Sequence, residues 1–376
     1  MSNVQIRPLL TLLTLSLLVS LTSCDDSPAQ ADTANRAVLV YMLANNDLAD
    51  YAESDLAEMK RAAGDIGNGR LLIYLQSKTD VPRLFEISSS STDLTLKTYD
   101  TTVSSTDPRR LKEVVDDVRS IADADSYGII FWSHSTGWQS ETQSTLSNST
   151  SITPLSFGYD EGSSAGRMKI TSMAKALEGN RFDFIYFDCC HMATVEVAYE
   201  LRHLTPFIAA SPTELGVDGM PYDLNLRCFF APKANLSQAI RNTFSTYPLT
   251  YTYGCSISLI STEGLDRLAS VSRMAMKYAP PLSYTPVRYF RKGVLDTGIF
   301  DMAHYFRAMT EDDPPLSREW EVAFRNTVTE SHSTSSVFML PADNFNGLGC
   351  HILSDSYPSS ALGYDELAWY RDVVAP

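Results

Sequence analysis

Two short stretches of this chain concentrate basic and nucleophilic side chains: Ser133-His134-Ser135-Thr136-Gly137-Trp138 and Asp188-Cys189-Cys190-His191-Met192. A thiol attacks a carbonyl when a neighbouring imidazole handles its proton, so His134 and one of the two cysteines form the natural pair. Each stretch follows an apolar run, Tyr127–Ser133 (YGIIFWS) and Phe182–Phe187 (FDFIYF), and each run predicts a buried strand. Ligands of open parallel sheets gather beyond the carboxyl ends of the strands. Two parallel strands would therefore deliver imidazole and thiol to one rim. The residues between His134 and Cys190 are what one strand-loop-helix-strand passage consumes.

The adjacent cysteines are sorted by strand geometry. Neighbouring side chains point to opposite faces, so Cys189 is expected to pack in the core and Cys190 to be the nucleophile. Cys190 also precedes a helix expected over Ala193–Leu201, with Met192, Val195 and Tyr199 on one face. A helix N-terminus would favour the thiolate, and backbone N–H groups of Cys190 and Ser135 would receive an oxyanion. Two other functions compete. Cys189, Cys190, His191 and His134 could ligate a metal, but adjacent Cys-Cys-His converges poorly on a tetrahedral ion and no C-x-x-C pair is present. The second is a surface lipoprotein that binds peptides or glycans on an inactive peptidase fold; the intact His134 and Cys190 argue against it.

Ser133-His134-x-x-Gly137-Trp138 and Phe187-Asp188-x-Cys190-x-Met192-x-x-x-Glu196 resemble the signatures of clostripain-like cysteine peptidases, over roughly residues 37 to 225. The resemblance implies a caspase-like α/β fold, a mostly parallel sheet sandwiched by helices, and endopeptidase action after Arg or Lys. By the family pattern His134 and Cys190 are the catalytic dyad. Asp188 would face the basic side chain before the cut, with Asp218 and Glu214 as further substrate-binding acids, Glu214 from the segment Ala210-Ser211-x-x-Glu214. Ser135 stands where the family commonly has Gly, and His191 where an apolar residue is usual. Relatives are often activated by self-cleavage after a basic residue in the His–Cys loop. Arg167, the first basic residue after His134, is that candidate here. The chemistry implied needs no cofactor, and a structural calcium ion is compatible with it.

The elements that must position these groups read from the same patterns. Ala37–Leu43 and Arg70–Gln76 predict strands, with a helix between them over Asp50 to Ala63. Leu84–Ile87 and Leu94–Tyr99 predict a hairpin, and a helix from Pro108 presents Leu111, Val114, Val115, Val118 and Ile121 on one face. Residues 139–166 are polar and lack Lys and Arg, which predicts a mobile loop. Pro206–Ala210 is one more strand, and Leu249, Tyr251 and Tyr253 alternate as a strand would. Strands alternating with helices imply a parallel sheet covered on both faces. After Thr262 the pattern turns helical, at Leu265–Tyr278 and Arg318–Thr327. The expectation is a peptidase domain over 36–262 and a mainly helical C-terminal extension over 263–376.

Composition narrows the partners. The 376 residues hold 30 Lys+Arg against 45 Asp+Glu, a net charge of −15, which argues against nucleic acid and favours cationic substrates. Peptides or proteins carrying Arg or Lys fit that balance. Residues 1–23 read as a signal peptide, with Arg7 before an apolar run from Leu9 to Leu21. The run closes on Leu21-Thr22-Ser23-Cys24, which resembles a bacterial lipobox, so Cys24 is expected to carry lipid and residues 24–35 to be a tether. Asp25 and Asp26 resemble surface-export signals. The protein is thus expected to be an exported bacterial lipoprotein of the cell envelope, at the outer-membrane surface. Five cysteines remain after Cys24, an odd number that leaves at least one free thiol.

Overall fold

Seven-residue runs rich in Val, Leu, Ile and Tyr become β1 (Ala37–Leu43) and β2 (Arg70–Gln76) in the computed structural model of the chain. The structure describes residue 1 and residues 35–88, 90, 93–139, 141–143, 152–154, 156–161, 166–250, 253–291, 297–354 and 363–375. The expected signal segment beyond Met1, Cys24 and the tether up to residue 34 lie outside the described residues, as does much of the loop expected over 139–166. No helix among the described residues is long and apolar enough to cross a membrane.

The hairpin forms as β3 (Arg83–Ile87) and β4 (Asp93–Thr98). The two site-bearing strands are β5 (Tyr127–Trp132) and β6 (Phe184–Asp188), followed by β7 (Phe207–Ala210), β8 (Ser256–Ser261) and β9 (Val328–Ser333). They form one sheet in the order β9-β8-β7-β6-β5-β1-β2-β3-β4. The central neighbours β7, β6, β5, β1 and β2 run parallel. β3, β4, β8 and β9 add antiparallel margins on either side.

Helices cover both faces. On one side lie α1 (Ala49–Arg61), α5 (Tyr222–Phe229) and α6 (Leu236–Thr250), packing on Val40, Met42, Ile130 and Tyr186. On the other lie α2 (Pro108–Ile121), α3 (Ile170–Ala176), α4 (Val195–Leu201), α7 (Leu265–Ala275), α8 (Met302–Met309) and α9 (Pro314–Thr327). These cover Tyr41, Phe131 and Phe187. Strand alternation explains the division, since Tyr186 and Phe187 enter opposite layers. Phe131 stacks on Phe187 at 5.3 Å between centroids, and burying such a ring contributes about 2–3 kcal/mol. α2 starts where Pro108 fixes the backbone and the Asp107 side chain accepts Arg109 N–H at 2.8 Å.

Residues 33–376 form one compact unit. The segment after 262 supplies helices α7 to α9 and also β9, which pairs antiparallel with β8. The strand expected around Leu249 is not there. Leu249 belongs to α6, Tyr251 is outside the described residues, and the Tyr253 ring stacks on Phe338 at 4.9 Å. Three alternating residues were too short a sample of period.

Candidate active site

β5 and β6 pair in parallel with Trp132 opposite Asp188, the last residue of each. His134 lies two residues beyond Trp132 and Cys190 two beyond Asp188, so both leave the sheet at the same level. They line one small pocket together with Trp132, Asp188, Leu215 and Gly219. A wider polar groove of about 700 Å³, bordered by Asn45, Lys78, Asp107 and Asp160, holds neither His134 nor Cys190.

The two loops are stitched together. Ser135 Oγ donates to the carbonyl of Cys190. Gly137 adopts φ +82°, and a Cβ there would come within 2.9 Å of His191 O, so only glycine allows this approach. Beside them Thr136 N–H donates to Ser156 O at 3.0 Å and Gly158 N–H to His134 O at 2.9 Å. That ladder turns the Ser135 N–H away from residues 156–158. Neither it nor the Cys190 N–H meets an acceptor among the described residues.

His134 Nε2–H donates to Asp47 Oδ1 at 2.7 Å, leaving Nδ1 free of that contact. Burial pushes the Asp47 carboxyl up, but the hydrogen bond and charge of His134 outweigh it and hold it below the usual range. Asp47 sits in the loop after β1 and carries no motif, so the sequence alone did not single it out.

Cys190 is half-buried, and its Sγ accepts Leu215 N–H at 3.3 Å. Burial pushes the thiol up to about 11, against the opposing pull of Leu215 N–H and the Arg167 charge. The expected thiolate-favouring helix is therefore corrected. α4 begins only at Val195, with the Thr194 side chain capping Val197 N–H, so its N-terminus does not adjoin Cys190. The helix field fades within one turn, and the resting thiol is neutral. Cys189 is 4% exposed in the opposite core layer. His191 is fully buried at φ +59°, and its Nδ1–H donates to Pro212 O at 3.2 Å. Burial pulls it down to about 4, which keeps it neutral. All five described cysteines are free thiols, and no group of three or more His, Cys, Asp or Glu among the described residues is arranged to hold a metal ion.

The acids divide sharply. Asp188 is 5% exposed; its Oδ1 accepts Met220 N–H at 3.1 Å, and its other oxygen faces the Tyr222 hydroxyl without well-aligned bonding. Burial raises its carboxyl well above the ordinary range. Gly219, at φ +62°, closes over it so tightly that a Cβ would stand 2.9 Å from Oδ2. Asp218 is half-buried beside Gly219, and burial raises it too. Glu214 is different: both its oxygens accept from Arg291, at 2.8 and 2.7 Å. Its charge therefore already has a partner within the fold. Arg167 is half-buried, its guanidinium close enough to Cys190 and Asp47 for their charges to act on it.

The C-terminal residues reach the same loops. Glu196 on α4 is fully buried, and its Oε1 accepts His351 N–H at 2.8 Å and the Tyr364 hydroxyl at 3.4 Å. Burial raises this carboxyl to about 7. Gly349 N–H donates to Ala193 O at 2.9 Å, and the Trp138 ring packs against His351 and Tyr364 at 5.2 and 4.9 Å.

The sequence pattern of the clostripain family (peptidase family C11) matches residues 40–313. An inactive zymogen C11 protease from Parabacteroides distasonis is 26% identical, with a TM-score of 0.77 over 91% of this chain and 98% of that one. A secreted C11 cysteine protease from Bacteroides thetaiotaomicron, solved with an irreversible peptide inhibitor, is also 26% identical, with a TM-score of 0.79 over 90% of this chain and 99% of that one. No curated protein matches the chain.

Proposed function

The chain belongs to the clostripain family and is a cysteine peptidase, and we propose that it is an endopeptidase cutting after Arg or Lys with His134 and Cys190 as its dyad. The observation that carries this reading is a buried acid, Asp188, on the floor of the pocket that His134 and Cys190 share, with no Lys or Arg among the described residues paired to it. A basic side chain entering the pocket would supply the missing charge, and a buried charge-assisted pair is among the stronger recognition contacts.

The neutral resting thiol sets the sequence of steps. Substrate binding brings the scissile carbonyl to Cys190, whose proton passes to His134 as the sulfur attacks. The carbonyl oxygen gains charge against the N–H groups of Ser135 and Cys190. His134 then protonates the leaving amine, and water hydrolyses the thioester. Asp47 holds the imidazole with Nδ1 free for this traffic. No cofactor takes part, and calcium would serve only to brace the fold. Arg167 is the candidate processing site, a basic residue of the chain already close to Cys190. Cleavage of the signal segment and lipid attachment at Cys24 would place the enzyme on the cell envelope, at the outer-membrane surface.

Turnover of an arginyl amide tests the reading. Cys190→Ala is expected to abolish it and Cys189→Ala to retain most of it, with iodoacetamide modifying Cys190 in peptide maps. Equal cleavage after neutral residues would remove the Arg/Lys preference, and an inactive Cys189→Ala would shift the nucleophile by one position. Activity unchanged in excess EDTA would remove calcium.

A further inference from the structure

Behind Asp188 stands a second buried acid that neither motif nor family resemblance marks. Asp55 lies on α1, 3% exposed, on the buried face that it shares with Ala52 and Met59. An acid on such a stripe is expensive unless something uses it. Its Oδ2 accepts Trp132 Nε1–H at 2.7 Å. Trp132 lines the pocket and is the register neighbour of Asp188, so both side chains leave the sheet on one face, toward α1. The charge of Asp188 raises the Asp55 carboxyl, and no Lys or Arg among the described residues pairs with either acid. The other groups facing the pair are Glu58 on α1, Asp218 in the 214–220 turn, Tyr186 on β6, Tyr222 on α5, and the thiols of Cys190 and Cys255. None is cationic.

We propose that Asp55 is a second specificity-determining acid, which with Asp188 holds one proton while the pocket is empty and releases it when a guanidinium or ammonium side chain enters. This rests on the Arg/Lys reading above. Two carboxylates buried without a cation do not both ionise, the situation of paired acids in general. The empty pair carries one proton and one negative charge. The occupied pair carries two negative charges beside the incoming positive one, and the proton passes to bulk buffer. Only an O–H bond breaks. Burial raises both carboxyls, and for Asp55 the nearby Asp188 raises it further. A neutral substrate side chain should release no proton.

The test uses the mature protein and agmatine, a guanidinium on a four-carbon chain. Calorimetry at pH 7 in buffers of different ionisation enthalpy is expected to count about one proton released per agmatine bound by the wild type, and close to none by Asp55→Asn. In parallel, kcat/KM for an arginyl amide should rise with pH across the neutral range, while that for the isosteric citrullyl amide and the rate of Cys190 alkylation lack this step. Asp55→Asn, which keeps an acceptor for Trp132, should lower arginyl kcat/KM about 10-fold and remove the step without moving the alkylation profile. A wild-type count of zero overturns the proposal, whatever the variant does. Retention of the count and the step in Asp55→Asn overturns it as well. Equal turnover of arginyl and citrullyl amides by the wild type would instead sink the Arg/Lys reading itself.

Discussion

The floor and the flank of the pocket are both acidic, yet only one of them is electrically complete. On the flank, Glu214 meets Arg291 through two hydrogen bonds, with side chains 17% and 27% exposed. On the floor Asp188, with Asp55 behind it, is almost wholly buried, and no Lys or Arg among the described residues pairs with either acid. An acid with a partner inside the fold contributes to architecture, whereas a buried acid without one lowers stability and leaves its charge open to a ligand. Two carboxylates near the same sulfur thus have opposite meanings, and charge alone would not separate them.

The largest effect should come from the floor. Asp188→Asn is expected to lower arginyl kcat/KM by about 10²–10³-fold with little change for a neutral residue, since losing one side of a buried charge pair costs about 2–5 kcal/mol. An equal loss in Glu214→Gln would erase the distinction between the two acids. Gly219→Ala is expected to raise KM for the arginyl amide about 10-fold, because its methyl would press on Asp188 from a left-handed backbone. Normal KM would mean that the Gly219 turn is not part of the pocket. Asp47 supplies a third kind of acid, 77% exposed and paired with the imidazole. Asp47→Asn should lower kcat about 3- to 10-fold and leave KM nearly unchanged, the modest scale of an exposed pair.

The smallest effects are the most discriminating, because they differ in sign. The folded state holds the Asp188 proton more tightly than the unfolded chain, so above about pH 4 the native form binds more protons and stability falls as pH rises. Asp188→Asn removes that fall and should gain on the order of 1 kcal/mol at pH 8, seen as a higher Tm than wild type there but not at pH 4. Glu214→Gln should lose up to about 1 kcal/mol at pH 8. Shifts of the same sign would undo the contrast.

That His134 and Cys190 would share one pocket was legible because each follows a strongly apolar run, and strand ends are where open sheets gather ligands. Asp188 followed from its place two residues before the thiol. The pairing of Glu214 was not legible, because its partner, Arg291, lies 77 residues away and only the tertiary fold joins them. Asp47 was invisible for the same reason. Asp55 did leave a trace, an acid at helical spacing between Ala52 and Met59 that breaks an otherwise apolar stripe. The helix after Cys190 was started too early because Met192 and Ala193 are apolar, although Thr194 is the residue type that caps. Apolar pattern locates a helix face better than its first turn.

The contacts of Gly349, His351 and Tyr364 with Ala193, Glu196 and Trp138 join a segment far along the chain to both loops, the one that carries His134 and the one that carries Cys190. The loops bearing His134 and Cys190 thus take their brace from residues made after both of them, and loosening that one brace would disturb both loops at once.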